Sequence, residues 1–150
     1  LGLFAKTAFT TRQLICEARG PVLKREHLDK LLLLPDDMLV GTFDNYLIHC
    51  KSICRFARDL IVKPRTLEEF KQINSKNYRP FKMLPNTRYN ARFVMRNHTE
   101  HKVFIEATVQ IPAGSEIFVR HDSDVVYQQL RCQFLFEEQM KELAGQFKQL

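Results

Sequence analysis

The chain has 150 residues, 45% of them hydrophobic and 27% charged, which suits one domain able to bury a core of its own. Lysine and arginine number 23 against 17 aspartate and glutamate; the net charge of +6 favours an acidic partner such as nucleic acid or a nucleosome, and equally fits a basic domain with nothing bound. The longest apolar run, Leu31 to Leu34, stops at Pro35, far short of the roughly 20 residues that span a bilayer, and no charged-then-apolar leader is visible, so neither membrane insertion nor secretion is expected.

The chain opens on Leu1 rather than Met, and Gly2 to Ala8 already reads as a strand, as expected of a piece cut from a longer protein. Thr10-Thr11-Arg12 is a polar turn leading to a second strand, Gln13 to Ala18, and Pro21 to Leu23 is a third. Arg25 to Leu34 places Leu28, Leu31 and Leu32 at helical spacing and ends before Pro35. Met38 to Phe43 and Asn45 to Cys50 read as strands joined at Asp44-Asn45. Thr66 followed by Glu69 is a capping box that predicts a short helix through Ile73. Asn74 to Pro85 lacks a period and reads as a loop.

From Arg88 to Gln110 the alternation is clearest. Tyr89, Ala91, Phe93 and Met95 alternate with Arg88, Asn90, Arg92 and Arg96; after the turn at Asn97 to Glu100, Val103, Ile105, Ala107, Val109 and Ile111 alternate with Lys102, Phe104, Glu106, Thr108 and Gln110. This predicts a hairpin with one buried face, and a turn centred near Thr99 sets Arg92 opposite Glu106. Pro112-Ala113-Gly114 is a turn and Ser115 to Arg120 a strand. Leu130, Phe134, Met140, Leu143 and Phe147 predict a terminal amphipathic helix from Val126. Four scattered cysteines, Cys16, Cys50, Cys54 and Cys132, read as reduced apolar thiols rather than a disulfide framework or a metal site.

Two separated stretches carry a family resemblance. Gly2-Leu3-Phe4-Ala5, followed by Ile15-Cys16-Glu17-Ala18-Arg19-Gly20-Pro21-Val22-Leu23, resembles the opening motif of SET domains, the fold of protein-lysine methyltransferases. Leu84-Pro85-Asn86, the hairpin, and Ile111-Pro112-Ala113-Gly114-Ser115-Glu116-Ile117 are similar to the family's closing motif, in the right order. The resemblance implies a mostly-β fold with short helices, a β-clip of small curved sheets with a pseudoknot. It would span residues 1–122 with a variable insert at about 35–76, followed by a helical extension over 123–150.

It also implies S-adenosylmethionine on one side and a lysine channel on the other, so the family's functional positions can be followed one at a time. Gly2, Leu3 and Phe4 fall in the cofactor-facing opening loop. Ala18 stands where the family often has tyrosine. Counting back from Pro85-Asn86 sets Pro80 and Phe81 at the cofactor-binding Asn-His pair, and counting on from Gly114-Ser115-Glu116-Ile117 sets His121 at the channel tyrosine. The zinc cysteines that often follow are missing, so no metal is expected. Similar erosion is seen in the subgroup of chromatin proteins that pair a PHD finger with SET, although no PHD finger is visible here.

Two functions follow as expectations. One is a degenerate nuclear module with no cofactor and no intact catalytic residue, which binds chromatin proteins, a nucleosome or DNA phosphates through Arg88, Arg92 and Arg96 on one strand face. The other is an active S-adenosylmethionine-dependent lysine methyltransferase of unusual residues. His121 could be a general base or a polar strand-end residue, and the arginine face a binding stripe or a solvated face with cross-strand pairing.

Overall fold

A computed structural model describes residues 1–42, 44–73, 82–97 and 102–148. The strands are β1 (Leu14–Ala18), β2 (Val22–Lys24), β3 (Leu39–Gly41), β4 (Tyr46–His49), β5 (Ile61–Val62), β6 (Lys82–Met83), β7 (Ala91–Asn97) and β8 (Lys102–Ala107). The α-helices are α1 (Leu67–Lys71) and α2 (Ser123–Lys148). Three small antiparallel sheets result, ordered β1-β8-β7, β2-β4-β3 and β5-β6. Because α2 alone has 26 residues, helix at about 30% matches strand at about 28%, and the expected mostly-β composition is corrected to a mixed one.

The central hairpin forms in the expected register, with Arg92 opposite Glu106. Val103, Ile105 and Ala107 of β8 are buried, as period two requires. The alternation outruns the hairpin at its far end: β8 stops at Ala107 and Val109 is exposed, while Ile111 forms an isolated bridge to Phe9. The turn lies outside the described residues.

The opening segment is not the continuous strand expected over Gly2 to Ala8. It makes bridges Phe4 to Glu116 and Phe9 to Ile111, with Ala5 N donating to Ser115 O at 2.9 Å and Ile117 N to Leu3 O at 2.8 Å. On the other side of the closing segment, Arg58 forms a parallel bridge to Phe118, and Val119 N donates to Arg58 O at 3.0 Å. Residues 115–119 therefore run between two parts of the chain that are far apart in sequence. Leu3, Ala5, Ile117 and Val119 point from this crossing into the largest core cluster, shared with Ala18, Val103 and Ile105.

Arg25 to Leu34 departs from the expected helix. A 3-10 helix covers Arg25–Lys30 and the leucines beyond it are extended: Leu31 half-buried, Leu32 exposed, Leu33 buried, Leu34 exposed, a period of two. Helix α2 supplies side-chain donors to carbonyls of this stretch and of the turn after it. Gln128 Nε2 donates to Leu31 O at 2.9 Å and Gln129 Nε2 to Asp37 O. Val125 packs with Leu28, Leu33, Leu39 and Leu47, and Val126, Leu130 and Phe134 pack with Phe70.

The capping box forms. Thr66 Oγ1 accepts from Glu69 N at 3.1 Å, but the Glu69 carboxylate reaches one residue further back, to Arg65 N at 2.9 Å. Gly20 is fixed by close approach, since a Cβ there would sit 1.7 Å from His49 O. The expectation of four separate thiols is overturned. Cys16 of β1 and Cys54 of the 3-10 helix Ile53–Phe56 form a disulfide with Cα atoms 6.2 Å apart, leaving Cys50 and Cys132 free. The 38-residue separation of Cys16 and Cys54 hid a pairing that only the fold brings about.

Candidate functional site

An open groove of about 590 Å³ lies between β3 and β7, closed at one end by residues 120–123. Both flanking strands end their sheets. Thr42 N donates to Tyr46 O and Cys50 N to Met38 O, so alternate residues of β3 bond to β4 and the main chain of Leu39 and Gly41 turns the other way. Likewise Thr108 N donates to Asn90 O, which leaves the main chain of Ala91 and Phe93 facing outward from β7. Gly41, Ala91 and Phe93 all line the groove, so it has a strand edge on each side.

The end wall is a polar node built on Asp59. One carboxylate oxygen accepts from the Tyr89 hydroxyl and from Leu60 N at 2.6 Å; the other accepts from His121 N at 2.8 Å. The His121 ring lies 2.8 Å from Ala57 O through Nε2, and since a carbonyl only accepts, Nε2 carries the proton. Burial pushes the His121 imidazole below its ordinary value, helped slightly by Lys63 and opposed by the Ala57 bond and Asp59. The Tyr89 phenol is pushed up to about 12, first by burial and then by its bond to Asp59. The Arg120 guanidinium stacks 5.3 Å from the centre of the Tyr89 ring. Asp122 is held by Arg25 at 2.6 Å, so the groove's acidic residue is already matched.

Next to the node, Asn90 clamps the closing segment by donating from Nδ2 to Glu116 O at 2.8 Å and accepting from Phe118 N at 2.8 Å. Asn90 lies four residues beyond Asn86 of the family-like Pro85-Asn86 pair. Asn86 adopts a left-handed turn conformation, φ 59°.

The positions singled out by sequence are dispersed. His121 lines the groove, together with Arg92. Ala18 is buried against Val103, away from it. Leu3 is core, Phe4 is exposed, and Gly2 backs onto Glu116, whose carboxylate a Cβ would meet at 2.9 Å. That carboxylate is gripped by Arg58 through two bonds of 2.7 and 3.0 Å. Pro80 and Phe81 lie outside the described residues.

The three arginines differ in their surroundings, and two make the cross-strand pairing that the solvated-face alternative allowed. Arg88 precedes β7, and both Arg92 and Arg96 pair with the one buried Glu106, where only Arg92 had been expected to be neutralised. Asp59, Tyr89 and Arg120 carried no signal of their own; Tyr89 had been counted as an apolar strand position.

Among the described residues no cluster of three or more histidine, cysteine or carboxylate side chains could hold a metal ion, and no helix is long and apolar enough to cross a membrane. Neither models of known protein families nor curated proteins give a match to this chain.

Proposed function

We propose that the chain is a SET-type module of a nuclear, chromatin-associated protein that does not transfer methyl groups and works by holding an extended acidic segment of a partner protein in the groove. The family reading is supported by the mutual pairing of the two end motifs, Phe4 with Glu116 and Leu3 with Ile117, and by the passage of residues 115–119 between Leu3–Ala5 and Arg58. A pseudoknot of the SET type would be threaded at that crossing.

His121 carries the non-catalytic reading. It occupies the position counted as the channel tyrosine, and its Nε2 proton is already given to Ala57 O, so it offers neither a phenol nor a free Nε2. The Glu116 carboxylate against Gly2, locked by Arg58, fills space that an opening glycine would leave for a cofactor. The groove in turn suits a peptide: main-chain groups on both flanks offer strand pairing, and the exposed Arg120 offers forked donors to carboxylates beside Arg92, whose Nε and Nη2 already donate to Glu106.

Calorimetry with S-adenosylmethionine tests the first half. The expected dissociation constant is above about 1 mM, or weaker than roughly −4 kcal/mol. A micromolar isotherm overturns it and supports an active lysine methyltransferase. Titration with an acidic peptide, a neutral peptide and free DNA at several salt concentrations tests the second half. Binding of the acidic peptide that drops in the Arg92→Ala, Arg120→Ala double variant is expected. DNA binding whose log K against log salt slope flattens by about two in that variant would instead assign the arginines to phosphates.

A further inference from the structure

We propose that Cys16 and Cys54 form a reversible redox tie that positions the segment holding the groove's end wall. The tie joins β1 to the 3-10 helix Ile53–Phe56. Immediately after that helix come Ala57, Arg58 and Asp59, and each of the three makes a contact that fixes the end wall or the closing segment before it. Ala57 O accepts from the His121 ring, Arg58 bridges Phe118 and grips Glu116, and Asp59 accepts from His121 N and Tyr89.

Non-covalent anchoring of this stretch is uneven. Upstream of the tie, Ser52 Oγ donates to Glu17 O at 2.6 Å and accepts from Arg19 N at 3.2 Å, so residue 52 stays docked on β1 whatever the state of the sulfurs. Downstream, Ala57 N donates to Cys54 O within the 3-10 turn, Asp59 accepts from the neighbouring Leu60 N, and the other described bonds of residues 57–59 lead to the closing segment and Tyr89. The disulfide is the covalent link between this segment and β1, added to the packing of Cys54 and Ala57 in the core they share with Ala18 and Val103. In a reducing compartment a disulfide serves as a transient or sensing bond rather than a permanent brace, so the nuclear reading and a switch go together. The geometry stands without that reading.

The chemistry is ordinary thiol–disulfide exchange. Oxidation removes one proton from each thiol and one electron pair in total, which pass to an oxidant such as glutathione disulfide, released as two glutathione thiols. In reduction, a dithiol's thiolate attacks Cys16 Sγ, the half-buried sulfur, because Cys54 is fully buried. The Cys54 sulfur leaves with the electron pair and takes a proton; the second thiol of the reductant then closes on the first and frees Cys16.

The test uses the whole chain equilibrated in glutathione buffers of graded ratio. Alkylation after denaturation should count two free thiols at the oxidising end and four at the reducing end, with a reversible transition between them. Amide NMR signals of residues 57–59 and 116–121 should shift along the same transition. The His121 ring signal, assigned by its loss in His121→Asn, should titrate at higher pH in the reduced form. A Cys16→Ser variant should match the reduced wild type in any buffer, and Cys50→Ser should behave as wild type. Four alkylated thiols in every buffer, or a thiol transition that leaves the end-wall signals unmoved, would overturn the proposal. Because wild type alone gives both readouts, misfolding of a variant does not protect it.

Discussion

The Asn90 side chain satisfies two main-chain groups of the closing segment that no neighbouring strand pairs. Asn90→Ala leaves a half-buried carbonyl and N–H without partners and should cost about 1–3 kcal/mol in urea unfolding. Asn90→Asp should not rescue it, since a carboxylate cannot donate to Glu116 O. Two titrations read the polar node. The unfolded His121 imidazole gains its proton near the ordinary 6.5, the folded one only at lower pH. Between those two values the unfolded state holds more protons, so stability should fall as pH drops below about 6.5 and be flat above it; His121→Asn should lack that part of the slope. The Tyr89 phenol runs the other way. The unfolded group ionises at its ordinary 10 and the folded one at about 12, so the stabilisation is complete below pH 10 and disappears as pH climbs toward 12, a loss absent from Tyr89→Phe in alkaline unfolding curves. Of this node only His121 was legible in the sequence, through a count from Glu116 and Ile117. Asp59 and Tyr89 were not, because a lone aspartate and a tyrosine in an alternating run have no periodicity that reveals a partner 30 residues away.

At the scale of elements, period-two alternation within the hairpin reported β7, β8 and their register, because every second residue of β8 meets the same core. Leu31 to Leu34 misled for the same reason: a run of four leucines fits either period, and docking of α2 decided for the extended one. Helix α2 was itself foreseen from Val126, yet only its first half is amphipathic in the folded sense. Val126, Leu130 and Phe134 are buried, whereas Phe136, Met140 and Leu143 are exposed. Phe134→Ala should therefore cost about 3–5 kcal/mol, while Met140→Lys and Leu143→Lys should each stay within about 0.5 kcal/mol in the same denaturant series. If the two lysine variants lost as much as Phe134→Ala, the far half of the helix would have to pack against the body.

For the molecule as a whole, the disulfide removes freedom from an unfolded chain across 38 residues, a constraint of about 4 kcal/mol on loop-closure grounds. Replacing both Cys16 and Cys54 with Ala should lower the melting temperature of the oxidised protein by about 10 °C, read by scanning calorimetry. The fold as a whole was only partly legible, because its central crossing joins residues whose partners lie across nearly the full sequence. That crossing also sets a timetable for biosynthesis. Leu3 and Ala5 leave the ribosome long before Ser115 and Ile117, the residues whose main chain they meet. At roughly 5–20 residues per second the wait is on the order of 10 s. Throughout it the opening segment lacks its partner and Ile105 of β8, which fills the centre of the core, arrives only shortly before the end. The nascent chain therefore completes this part of its core only after the closing strand emerges, and until then an apolar segment near its beginning is open to capture by a chaperone.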